Sequence, residues 1–172
     1  MTLRTNARIA GVTYLLYLVV GISSLALGAR AQATELFTLL TSFCALVLGV
    51  TLYAITREQD ADLALLGLTC RVMEAIPGQH GYVYFAVGST IFCWLLLRGR
   101  MIPTGLARLG LAASLLLSAV LLLQRSRLLG GVTDWSSSIT WIVSLPMLMF
   151  ELTFAGWLLV KGVATPARKM PA

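Results

Sequence analysis

Six apolar runs separated by short polar breaks organise this chain. They predict helices over residues 9–28, 35–55, 61–76, 82–97, 106–123 and 139–160. The breaks have the chemistry of helix ends. Arg57-Glu58-Gln59-Asp60 closes the second run, and Asp60 or Asp62 can cap the start of the third. Pro77-Gly78 ends the third, and Arg98-Gly99-Arg100 followed by Pro103 ends the fourth. Gly130-Gly131 and Asp134-Trp135-Ser136 separate the fifth run from the sixth. Pro146 lies inside the sixth, where it removes one backbone hydrogen bond and is expected to kink the helix. Residues 161–172 read as a basic, mobile tail.

Most of these runs match the roughly 20 residues that cross a bilayer. The fold expected is therefore all-α, a bundle of six transmembrane helices in one domain. Composition agrees, with 58% hydrophobic and only 12% charged residues among 172. A soluble domain carries about 25% charged residues. The first run is longer than the roughly 7–15 apolar residues of a secretion signal, so it reads as a retained helix. The net charge of +6 does not point to nucleic acid, because the basic residues gather at helix ends.

Their distribution also orients the chain. Arg4, Arg8, Arg57, Arg98, Arg100, Arg108, Lys161, Arg168 and Lys169 fall on the side of the termini, against Arg30, Arg125 and Arg127 on the other. Nine against three predicts cytoplasmic N- and C-termini in the cytoplasmic (inner) membrane. The tryptophans fit an aromatic belt in that threading, Trp94 and Trp157 inside, Trp135 and Trp141 outside.

The third run is the least apolar and carries Arg71 and Glu74, three apart and so on one helix face. Glu151 lies in the sixth run at nearly the depth of Arg71, with Glu74 about one turn further out. We expect the third and sixth helices to be neighbours, with Arg71 bridging the two acids. Charges at such depth face a bundle interior or a wet cavity, and by default they mark function. Two acids with one base leave one negative charge in excess. That suits binding of a small polar solute or ion, its transport, or passage of protons. A cavity should then reach the cluster from one side. The alternative is a structural ion pair in a partner subunit of a membrane complex. It predicts a dry cluster, with the small-residue stripe Gly110-Ser114-Ser118 turned to another chain, as in a homo-oligomer.

Gln79, His80 and Tyr82 could form a polar vestibule at the outer mouth, although a loop within an aromatic belt explains them equally. Tyr14 and Tyr17 could hydrogen-bond into the bundle, although packing is the expected role. A membrane-embedded enzyme is the least favoured reading. No HExxH, GxSxG or phosphate-cradling glycine loop occurs, so no catalytic residue and no cofactor are assigned. No metal site is expected either, since His80 is the single histidine and Cys44, Cys70 and Cys93 fall singly within apolar runs.

Several stretches carry a resemblance. They are Arg8-Ile9-Ala10-Gly11 with Tyr14-Leu15, Arg71-Val72-Met73-Glu74-Ala75, Leu97-Arg98-Gly99-Arg100-Met101-Ile102-Pro103, Glu151, and Trp157-Leu158-Leu159-Val160-Lys161-Gly162. In them the chain resembles the DUF4386 family of bacterial membrane proteins, a domain of unknown function. It departs where Thr104-Gly105 follows Pro103, a place where the family tends to carry a basic and an aromatic residue. The resemblance implies a multi-pass bacterial membrane protein and no particular activity.

Overall fold

The computed structural model of the chain describes residues 1–27, 31–78, 80–126 and 138–165, and only the backbone of residues 25–27, 31–34, 138 and 139. Six helices follow one another: α1 (Leu3–Leu27), α2 (Ala31–Thr56), α3 (Ala61–Ala75), α4 (Gly81–Arg98), α5 (Thr104–Arg125) and α6 (Ser138–Val160). No strand occurs among the described residues. Each helix falls on one of the six apolar runs. α1 begins six residues earlier than its apolar run, because the polar turn ahead of Ile9 also winds into helix. The glycine pair, Asp134-Trp135-Ser136, Arg127 and the tail from 166 lie outside the described residues.

Five of the six, all but α3, are long and apolar enough to cross a bilayer. The outward faces are correspondingly apolar. On α1, Val12, Leu16, Val19 and Ile22 point away from the bundle. Surface of that kind requires lipid rather than water around it. α3 has 15 residues, about 22 Å of helix against a hydrocarbon core of about 30 Å.

Its ends are set locally. The Asp60 carboxylate caps the start by accepting from the Leu63 amide at 3.2 Å. At the other end Ile76 turns extended (φ −79°, ψ 120°), as the residue before a proline is driven to do.

The helices form a closed ring in chain order. Each packs against the next, and α6 packs back against α1. This arrangement corrects one expectation. α3 and α6 are not neighbours but lie across the ring from each other. Equal depth fixes how far down a helix a residue sits, not which helix stands beside which. An even number of helices brings both ends of the chain to one face. There the Ala164 amide donates to the Met101 carbonyl of the α4–α5 turn at 2.9 Å.

Glycines set the closest approaches. A Cβ on Gly49 of α2 would stand 2.8 Å from the Arg71 Cβ, and one on Gly88 of α4 would stand 3.0 Å from the Cys70 Cβ. α3 is thus wedged between two glycine faces at the level of Arg71. On α5, a Cβ at Gly110 would run into the Phe150 ring at 2.4 Å. Gly110 and Ser114 are buried, so the small-residue stripe is occupied inside this chain by α6.

Candidate functional site

Arg71 is fully buried. Its guanidinium is held from three helices. Nη1 donates to Glu74 Oε2 at 2.9 Å, and Nη2 donates to Ser89 Oγ at 3.0 Å and to the Tyr14 hydroxyl at 3.5 Å. Its central carbon lies 5.0 Å over the Phe85 ring. Only Nε is left without an acceptor. The second oxygen of Glu74 is engaged too, since the Tyr17 hydroxyl donates to Oε1 at 2.8 Å. Tyr17 stacks on Phe85, with ring planes 7° apart. Base and acid therefore form one hydrogen-bonded unit at the inner face of α3.

The expected bridge from Arg71 to Glu151 is not formed. Arg71 ion-pairs with Glu74, and no ion pair joins it to Glu151. The geometry of the ring explains this. The guanidinium is engaged along its own helix, by the neighbouring α4 and by Tyr14 reaching in across the ring from α1, and α6 stands directly opposite. Glu151 is 4% exposed, and its Oε1 has no hydrogen-bond partner. Its surroundings on the α6 side are aromatic. Phe150 and Phe154 stack at 5.2 Å, and Phe154 meets Tyr14 edge-on at 5.6 Å.

A cavity of about 480 Å³ occupies the half of the bundle opposite the termini. All six helices line it. The innermost lining residues are Tyr17, Ala45, Glu74, Phe85, Leu117 and Glu151. Glu74 and Glu151 thus stand at its floor, on opposite sides. Arg71 lies beneath, outside the lining. Hydroxyls of Thr41, Ser42 and Ser144 interrupt otherwise apolar walls, and Tyr82 and Trp141 stand further out.

Of the residues singled out in the sequence, the fold brings Arg71, Glu74 and Glu151 into one region and adds Tyr82 to the cavity wall. His80 is exposed, with Nε2 3.4 Å from Arg125 Nη2, and is not part of the lining. Gln79 lies outside the described residues. Tyr14 and Tyr17 pack, against Phe154 and Phe85, and both also hydrogen-bond to the charged pair. Ser89 and Phe85 were missed. The one available signal was Gly88-Ser89-Thr90, a small polar patch in the middle of an apolar run. Among the described residues, no group of histidine, cysteine or acidic side chains could hold a metal ion.

The chain matches neither a curated protein nor a solved structure. A family model does match, described as Domain of unknown function (DUF4386), over residues 78–162. The matched stretch takes in α4, α5, α6 and Glu151, and it stops short of Arg71 and Glu74. Across α4 to α6, in agreement with the resembling stretches, this multi-pass membrane chain is similar to the DUF4386 family.

Proposed function

We propose that the protein binds a small polar solute or ion in the cavity above Glu74 and Glu151, and that it either senses this solute or moves it across the membrane. The observation that carries this reading is Glu151. A buried carboxyl oxygen with no partner is costly, and here it belongs to a side chain at the floor of a cavity wide enough for a ligand. Pockets for small molecules run from about 300 to 1,000 Å³. Arg71 and Glu74 act in this reading as a support. Their closed pairing holds α1, α3 and α4 together and fixes the floor.

The excess of basic residues at the terminal face favours cytoplasmic termini in a bacterial inner membrane. The cavity then faces the outside. The competing role, a partner subunit with a purely structural ion pair, draws support from the direct pairing of Arg71 with Glu74. It does not account for the unpartnered Glu151. Its docking stripe is also covered within this chain at Gly110, against Phe150.

The test is a melting assay in detergent against a panel of small amines, carboxylates, alcohols and sugars. One class should raise the melting temperature. A ligand at 100 times its dissociation constant stabilises by about 2.7 kcal/mol. Ser144→Trp, which fills the cavity from its wall, should abolish that shift. A flat response to every class, or a shift that survives the filled cavity, would sink the reading.

A further inference from the structure

The chemistry of the cavity narrows the class of ligand. Every donor of Arg71 that has an acceptor is spent on Glu74, Ser89 or Tyr14. Both oxygens of Glu74 are spent on Arg71 and Tyr17. Glu151 is the acid at the floor with an oxygen unengaged. An anion entering here would meet two carboxyl groups, with the nearest base below them already paired. A cation would meet a carboxyl that has no ion-pair partner.

The walls favour an organic cation over a bare one. Phe37, Tyr82 and Trp141 line the cavity, and their rings offer apolar surface to the hydrocarbon part of such a ligand. Leu117, Leu121, Leu145 and Met147 make much of the remaining surface apolar. A divalent metal ion needs about six or more oxygen ligands, several of them charged as a rule. One free carboxyl with scattered hydroxyls does not supply that set.

Resting on the solute-site reading, we propose that the ligand is a small organic monocation with an apolar body. Its ammonium group lies against Glu151, and its body lies among Phe37, Tyr82 and Trp141. Ammonium N–H donors meet the Glu151 carboxyl where it lines the cavity, and the apolar remainder displaces water from the walls.

Three near-isosteric probes separate charge from shape: 3-phenylpropylamine, 3-phenylpropanol and 3-phenylpropanoate, each titrated calorimetrically into the detergent-solubilised protein. The amine should bind at least tenfold more tightly than the alcohol, and the carboxylate should give no heat of binding. Glu151→Gln should weaken the amine at least tenfold and leave the alcohol unchanged. Glu151→Asp keeps the charge and should retain the amine. It also decides the matter should the glutamine variant fail to fold. Equal binding of amine and alcohol, or preference for the carboxylate, overturns the cation assignment and leaves a solute site standing. If none of the probes binds but another class from the solute panel does, the cation assignment again falls alone. If neither the probes nor any class of the panel binds, both readings fall together.

Discussion

Glu74 and Glu151 are buried acids at the floor of one cavity, yet their loss should act in opposite directions on stability. Glu74 neutralises a guanidinium with no access to solvent. Removing one partner of such a pair leaves a buried charge uncompensated and costs about 3–5 kcal/mol. Glu74→Gln should therefore lower the melting temperature sharply. Glu151 has no ion-pair partner and an unsatisfied oxygen, so Glu151→Gln should leave the melting temperature unchanged or raise it. Thermal melts of the two variants side by side check this. A collapse of the Glu151 variant with an intact Glu74 variant would reverse the roles assigned here. Tyr17 belongs to the same account. Tyr17→Phe removes one hydrogen bond to a charged group and should cost about 1.5–3 kcal/mol, an intermediate loss in the same assay. The charged pair itself was legible in the sequence, since two residues three apart on a helix must share a face. The tyrosines were not. Tyr14 and Tyr17 each meet a partner 57 residues away, and nothing local in an apolar run says which way a tyrosine points.

Among the elements, α3 is the one whose position depends on its neighbours rather than on itself. It is short, carries both charges, and is held by Gly49 on one side and Gly88 on the other. Gly49→Val would place a branched side chain where the Arg71 and Leu68 side chains stand, at 2.8 and 3.0 Å from the new Cβ. Overpacking of this kind costs about 1–3 kcal/mol, and here it would also lever the guanidinium away from α1 and α4. The control is Gly156→Ala on α6, where an added Cβ meets nothing within 4 Å. That change should be neutral or slightly stabilising, because alanine is the better helix former by up to about 1 kcal/mol. Comparable melting losses for both variants would show that α3 is not wedged as described. The helices themselves were readable from hydropathy, and Pro77 marked the end of α3 to within one residue. Which helices pack together was not readable. Depth along the chain put Arg71 level with Glu151, while adjacency in the ring follows chain order and sets α3 against α2 and α4 instead.

At the scale of the whole molecule, the ring has two unlike ends. One gathers both termini, the α2–α3 turn and the α4–α5 turn, together with most of the basic residues. The other carries the cavity and the α3–α4 turn. The charge asymmetry was visible in the sequence, but the cavity was not, because its lining is drawn from six helices between Tyr17 and Glu151. Placing the cavity outside and the termini inside makes a prediction for intact cells. The three native cysteines are buried and should give little background with a membrane-impermeant, positively charged thiol reagent. Glu58→Cys, on the exposed α2–α3 turn, should react only after the cells are opened. Gly78→Cys, on the exposed α3–α4 turn, should react in intact cells. Ser144→Cys, on the cavity wall, should also react from outside, and 3-phenylpropylamine should slow it. The opposite pattern for the two turn positions would invert the molecule and open the cavity to the cytoplasm. Failure of the reagent to reach Ser144→Cys from either side would leave the floor acids sealed from solutes, and with that the structural reading of the cluster would take over.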